Sequence, residues 1–134
     1  MLEGIRAATL EIVLARFGGS PRRAVVGRRL ERICTLARST DHLARFIVFG
    51  SFITAKAEPN DVDIFLLIED SFDVSKVSTE ARLVFDHAAA QNLLGASVFW
   101  IRRAAALGGE AATIAHWQIK RDGGKRGIVE VTKI

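Results

Sequence analysis

The alternation of apolar and polar positions predicts a helical start to the chain. Leu2, Ile5, Leu10, Ile12 and Val13 lie at roughly helical spacing, and Gly18-Gly19 ends that pattern. Ser20-Pro21 then offers an N-cap followed by proline at the first helical position, so a second helix should begin there. Its apolar stripe would comprise Val25, Val26, Leu30, Ile33, Cys34 and Leu36. We therefore expect an N-terminal helical segment.

Short apolar runs follow, and they predict strands. Residues 45–49 are β-branched and aromatic and are closed by Gly50-Ser51, which indicates a strand that ends in a tight turn. A second strand is expected over 61–68, where the last five residues are apolar on both faces, as in a strand covered on both sides. A third strand is expected over 96–101.

The remaining segments predict helices and a terminal hairpin. Residues 74–94 carry apolar side chains at helical spacing and are ended by Gly95. A weakly helical, Ala-rich stretch follows the third strand. The tail over 117–133 resembles a hairpin around Asp122-Gly123-Gly124, with Ile128, Val129 and Val131 in the return strand. The expected fold class is α+β, with the N-terminal helical segment, strands and helices in the middle of the chain and a C-terminal β-hairpin.

Length and composition fit one folded domain. The chain has 134 residues, 49% of them hydrophobic and 25% charged. We expect a single domain over 1–134, with helices in 1–42, the core in 44–101 and a helix and hairpin in 102–134. The apolar runs are too short for a membrane span, and Glu3, Arg6 and Glu11 interrupt what would be a secretory signal. With one cysteine, Cys34, the expected compartment is the cytoplasm.

Charge is unevenly distributed along the chain. Residues 1–45 hold nine Arg against four acidic residues, 46–100 hold three basic against eight acidic residues, and 101–134 hold seven basic against three acidic residues. Basic flanks suit a phosphate-bearing partner, since Arg binds phosphate through two parallel hydrogen bonds. They also occur as ordinary solvated faces with buried stems, and charge alone leaves both interpretations open.

Two neighbouring acidic residues carry the candidate chemistry. Asp61 and Asp63 lie two positions apart in the second strand, so both side chains project from one face. Two carboxylates about 5 Å apart repel each other by roughly 3 kcal/mol at an effective dielectric constant of 20. Mg²⁺ (or Mn²⁺) would compensate that repulsion and complete its coordination with water and phosphate oxygens. A solvated strand opening is the structural alternative.

The turn after the first strand supplies the second half of such a site. Gly50 lets the backbone pass close to a ligand, and Ser51 with the N–H groups that follow it can hold a triphosphate. The nine-residue spacer over 52–60 contains Lys56, a candidate phosphate contact. The candidate nucleotide-binding residues are therefore Gly50, Ser51 and Lys56.

An apolar strand, Gly-Ser, a spacer and Asp-x-Asp within a second strand resemble the nucleotidyltransferase fold of the DNA polymerase β superfamily. The matching span is 46–68, and the chain looks most like the short, minimal members. The resemblance implies a mixed β-sheet of nucleotidyltransferase type flanked by helices. It also implies catalytic Asp61 and Asp63 that hold Mg²⁺, and a nucleoside triphosphate such as ATP whose phosphates contact Gly50 and Ser51. The implied reaction transfers a nucleotidyl group to an acceptor hydroxyl or phosphate, with pyrophosphate leaving.

One departure from the superfamily pattern keeps two functions open. Active members usually add a third carboxylate from the next strand, and residues 96–101 contain no acid. The candidate substitutes are Asp86, Glu69, Asp70 and Glu130. The chain is then either a Mg²⁺-dependent nucleotidyltransferase acting on an unknown protein or RNA acceptor, or a catalytically impaired regulatory, antitoxin-like or nucleic-acid-interacting module. The 33 residues after the third strand leave little room for an acceptor domain, so a homodimer stays open.

Overall fold

A five-stranded mixed sheet flanked by helices forms the α+β fold. The computed structural model describes residues 5–53, 62–106, 108–117 and 128–132. The strands are β1 (Ile5–Ala8), β2 (Leu43–Phe49), β3 (Val62–Ile68), β4 (Ala96–Arg102) and β5 (Ile128–Val131). They lie in the order β1-β5-β2-β3-β4; the β1–β5 and β3–β4 pairs are parallel, and β2 is antiparallel to β3 and β5. The predicted α+β class and the predicted mixed sheet are confirmed.

The start of the chain departs from the prediction. The prediction of a helix over residues 5–8 is wrong, because Ile5–Ala8 form β1 and pair with β5. The first helix, α1 (Leu10–Phe17), begins after Thr9, whose hydroxyl accepts a hydrogen bond from the Ile12 N–H at 3.2 Å. Helical spacing alone cannot reveal that a distant strand will pair with β1, and such pairing overrides local propensity.

The second helix, α2 (Pro21–Arg38), forms where it was predicted. The Ser20 hydroxyl accepts a hydrogen bond from the Arg23 N–H at 3.1 Å, and Pro21 occupies the first turn. The predicted stripe is buried at Val26, Leu30, Ile33, Cys34 and Leu36, whereas Val25 is half-buried. Burial raises the pKa of the Cys34 thiol, which therefore behaves as a small apolar side chain.

The continuous helix expected over 74–94 is wrong, because the segment is a series of short helical pieces. These are a 3₁₀ turn (Val74–Lys76), α3 (Thr79–Arg82), a 3₁₀ turn (Leu83–Phe85), α4 (His87–Ala89) and a π-helical turn (Ala90–Leu94). The side chains of Asp73, Ser78 and Asp86 each accept a hydrogen bond from a backbone N–H, and a new helical piece begins after each of them. These capping bonds divide the segment.

A helix and a strand lie in the described residues that follow β4, over 108–117 and 128–132. The Ala-rich stretch contains α5 (Glu110–Trp117), so Trp117 ends a helix and does not begin a hairpin. The expected return strand is present as β5, with β1 and β2 as its neighbours. The predicted turn at 122–124 lies outside the described residues. No helix in the described ranges combines the length and apolar character needed to cross a bilayer.

The two faces of the sheet bear unequal apolar clusters. The α2 face carries the larger one, in which alternate residues of β2 to β5 pack with α2 and with the segment between β3 and β4. The opposite face, here called the Asp63 face, carries a smaller cluster of Ile47, Phe49, Phe65, Ile114 and Ile128. Asp63 belongs to this second face because it alternates along β3 with the α2-face residue Ile64.

Candidate functional site

Gly50 and Asp63 lie in direct contact at one end of the sheet. The antiparallel register pairs Phe49, the last residue of β2, with Asp63. Gly50 follows with φ of +85°, and a Cβ added there would overlap the Asp63 carboxylate and lie 3.0 Å from its Cγ. Only glycine combines this backbone conformation with so close an approach. The turn therefore passes directly over a carboxylate.

The residues after the turn are anchored to the first two helices. Ser51 begins a 3₁₀ turn (Ser51–Ile53), and the Phe52 side chain is fully buried. The Arg23 guanidinium donates hydrogen bonds to the backbone carbonyls of Phe17 and Phe52. Arg23 thus ties the turn to the ends of α1 and α2. The charge pattern of the sequence does not distinguish Arg23 from the other arginines of α2, and nothing local could have revealed this bond across 29 positions.

Strand β4 supplies a serine at the level of the carboxylate. The parallel register pairs Ser97 with Asp63, so the two side chains share a face. Phe99, two residues on, also lies on the Asp63 face and is 37% exposed beside the rings of Phe49 and His87. The next strand, where the superfamily resemblance expects a third carboxylate, thus carries Ser97 opposite Asp63.

The four candidate substitutes for the third carboxylate all have other partners. Glu69 pairs with Arg103 at 3.1 Å, Asp70 accepts the Ala104 N–H at 2.8 Å, Asp86 accepts the Ala89 N–H at 3.1 Å, and Glu130 pairs with Arg45 at 2.6 Å. Within the described part of the chain, no three His, Cys, Asp or Glu side chains form a metal-binding group. That part includes Asp63 and excludes Asp61.

Three of the predicted site residues lie wholly or partly outside the described part of the chain. Asp61 and Lys56 lie in 54–61, outside the described residues. The backbone of Ser51 is described and its side chain is not. Their roles as metal ligand, phosphate contact and hydroxyl donor stay predictions, and the structure itself brings together Gly50, Asp63 and Ser97.

Ion pairs occupy the other end of the Asp63 face. The Arg45 guanidinium donates two hydrogen bonds, of 2.6 and 2.9 Å, to the Glu130 carboxylate, and this pairing raises the pKa of Arg45. Arg103 bridges Glu110 at 2.7 Å and Glu69 at 3.1 Å. These charges compensate one another within the fold. They join β5 to β2 within the sheet and hold α5 against the sheet, and so have a structural role.

Comparison with known proteins gives a family and no assigned activity. No curated protein and no solved structure matches the chain. A family model described as "Family of unknown function (DUF6932)" matches residues 1–132, and the chain therefore belongs to that family.

Proposed function

We propose that the chain binds a Mg²⁺–nucleoside triphosphate at the Gly50–Ser51 turn and transfers its nucleotidyl group to an acceptor. The observation that carries the proposal is the contact between the Gly50 backbone and the Asp63 carboxylate. A nucleotide-binding turn and a metal-binding carboxylate must lie side by side, because the metal ion binds oxygens of the carboxylate and of the nucleotide's phosphates. The order strand, Gly-Ser turn, antiparallel strand and parallel strand supports the resemblance to the nucleotidyltransferase fold.

The residues present fit a hard divalent cation. Asp63 offers a carboxylate, and Asp61 would offer a second from the same face if the strand alternation extends to it. Bound Mg²⁺ would supply charge neutralisation for the phosphates. Gly50 lets the turn approach the Asp63 carboxylate closely, and Ser51 would donate a hydrogen bond to a phosphate oxygen. In the proposed reaction an acceptor oxygen bonds to the α-phosphorus while the bond to the pyrophosphate oxygen breaks.

In a second candidate function, the chain binds the nucleotide but does not transfer its nucleotidyl group. Ser97 stands level with Asp63 on β4, and the four substitute acids are engaged elsewhere. These observations favour a chain that binds Mg²⁺–nucleotide without turnover. It would then act as a regulatory, antitoxin-like or nucleic-acid-interacting module. The two candidates share the binding site and differ in catalysis.

Nucleotide binding is tested by thermal unfolding with ATP, CTP, GTP or UTP, each with and without Mg²⁺ or Mn²⁺. At least one nucleotide should raise the melting temperature only when the metal is present, because ligands stabilise the state that binds them. Asp63→Asn should abolish the rise. Asp86→Asn is the matched control, since Asn caps a helix as well as Asp does. A rise that survives in Asp63→Asn, or no rise with any nucleotide, contradicts the proposal.

Turnover is tested separately by incubating labelled nucleotide with candidate proteins and RNAs. Transfer of label that requires Asp63 supports the enzyme, and binding without transfer supports the second candidate. Ser97→Asp tests the metal site that both candidates share, because it adds a carboxylate level with Asp63 and should tighten Mg²⁺ binding. Ser51→Ala should weaken nucleotide affinity by about 1 to 2 kcal/mol, the scale of a hydrogen bond to a charged group.

A further inference from the structure

A groove lined by arginines lies between α2 and the turn that leads into β4. Arg28, Arg29 and Arg32 form one wall, and residues from Asn92 to Gly95 form the other, around a volume of about 420 Å³. Arg28 and Arg32 are exposed and lie one helical turn apart, so both point to the same side of α2. Three guanidinium groups thus converge on one opening.

The position of Arg29 depends on the absence of a side chain at Gly95. Gly95 has φ of +66°, and a Cβ added there would lie 2.7 Å from Arg29 Cδ and Nε and 2.9 Å from its Cζ. The Arg29 guanidinium therefore rests on the Gly95 backbone. This arginine is half-buried. A guanidinium that packs against the protein surface loses less freedom when it binds a ligand than a fully solvated one.

The positive charge of the groove is only partly compensated. Glu80 of α3 pairs with Arg32 at 2.9 Å, and both side chains are more than half exposed. Ion pairs that exposed contribute little and exchange readily with other anions. Glu31 is the single acidic residue of α2, against six arginines. The arginines of α2 thus outnumber its acidic residues, and the exposed Arg28 and Arg32 offer positive charge that an anionic partner can neutralise.

The groove and the Asp63 carboxylate lie at the same end of the sheet. Gly95 directly precedes Ala96, which pairs with Val62, and Ser97 pairs with Asp63. The groove opens on the α2 side and the carboxylate on the opposite side, with the first residues of β4 between them. A ligand that passes around this end of β4 can contact both.

We propose that this arginine groove binds the phosphodiester backbone of a single-stranded nucleic acid. The planar guanidinium group matches phosphate oxygens, and several phosphates in a row can neutralise several arginines at once. The exposed Leu93 side chain, 65% accessible, offers an apolar surface to unstacked bases, which a duplex would keep hidden. That the bound strand is the acceptor at Asp63 rests on the proposed function; binding in the groove does not.

The test measures fluorescence anisotropy of labelled oligouridylate and oligothymidylate in a titration with KCl. Arg28→Gln/Arg32→Gln should weaken binding at least tenfold and reduce the slope of log affinity against log salt by about 1.4, since each lost phosphate contact removes about 0.7 for a single strand. Arg16→Gln/Arg38→Gln is the control, because it removes equal charge from exposed positions outside the groove. The RNA and DNA probes show whether the 2′-hydroxyl contributes.

Glu80→Gln provides a test of opposite sign. It releases Arg32 from its ion pair and should tighten binding about two- to threefold, the scale of an exposed pair. If this substitution weakens binding, Arg32 does not contact the nucleic acid.

Two further outcomes separate the groove from the proposed function. If neither oligonucleotide binds, or if the control loses as much affinity as the groove variant, the groove inference is wrong and the nucleotide proposal is untouched. Asp63→Asn should keep oligonucleotide binding while losing the Mg²⁺–nucleotide effect on melting temperature. If wild-type protein shows arginine-dependent binding but no nucleotide effect, the groove stands and its role as an acceptor site is wrong.

Discussion

The two faces of the sheet carry different kinds of side chain. The α2 face is filled by apolar residues from every strand and from the helices around it. The Asp63 face has a smaller cluster under α5, an ion-pair network at one end and Asp63 beside Gly50 at the other. One face therefore supplies most of the stability. The rigid sheet it creates positions polar groups on the other.

Truncation of matched aromatic residues should give the largest difference between the faces. Phe46, on the α2 face, is 1% exposed, and Phe46→Ala should cost about 3 to 5 kcal/mol of unfolding free energy because it leaves a cavity. Phe99→Ala on the Asp63 face should cost about 1 kcal/mol or less, since Phe99 is already partly in water. Urea denaturation measures both, and Phe46→Leu serves where the alanine variant fails to fold. Equal losses would contradict the division between the faces.

Gly50→Ala should destabilise the protein by about 1 to 3 kcal/mol, because alanine is strained at positive φ and its Cβ would overlap the Asp63 carboxylate. Gly19→Ala is the control, as a Cβ there has no neighbour within 4 Å. Adding Asp63→Ala to Gly50→Ala should restore part of the loss, since it removes the overlapping group. Additive losses in the double variant would mean that the two residues do not touch.

Breaking the ion pair on the Asp63 face should have a smaller effect. Glu130→Gln should lower the free energy of unfolding by about 1 to 2 kcal/mol, because it weakens the two hydrogen bonds to Arg45 at a site where both side chains are mostly buried. The more exposed pair of Arg32 and Glu80 provides the control, and Glu80→Gln should change stability by less than about 0.5 kcal/mol. Denaturant midpoints at constant salt measure the difference.

The smallest effect concerns an exposed carboxylate on the α2 side of the sheet. The hydroxyl and N–H of Ser75 donate hydrogen bonds to Asp73, which lowers the pKa of that carboxyl. As the pH falls, the Asp73 carboxyl is protonated in the unfolded chain at a higher pH than in the folded protein. The contribution of these hydrogen bonds to stability is therefore present above about pH 4 and is lost as the pH falls below it. Asp73→Asn should flatten the acid limb of the stability curve slightly. An unchanged acid limb would show that these bonds contribute nothing.

Local sequence was enough to place the central strands. Residues 45–49 and 61–68 are short apolar runs bounded by turn residues, and β2 and β3 occupy them to within two residues. It was not enough for β1, whose partner β5 lies more than 100 positions away. It also failed over 74–94, where three side-chain caps divide a helix that apolar spacing suggested was continuous.

The candidate site shows the same limit. The spacing of Gly50, Ser51 and Asp63 suggested a shared site, but their distance depends on the register between β2 and β3, which a local pattern does not show across a nine-residue spacer. The position of Ser97 beside Asp63 likewise follows from parallel pairing with β4. Arg29 resting on Gly95 joins residues 66 positions apart, and no local pattern signals such a contact.

The position of β5 between β1 and β2 has a consequence for folding on the ribosome. Among the described strands β1 is synthesised first, yet its neighbour in the sheet is β5, so it must wait until all the other described strands have been synthesised. Closing so long a loop costs entropy and slows the step that completes the sheet. Until then the edge of β2 that β5 will occupy is open to other strands, which makes this interval the moment of greatest aggregation risk.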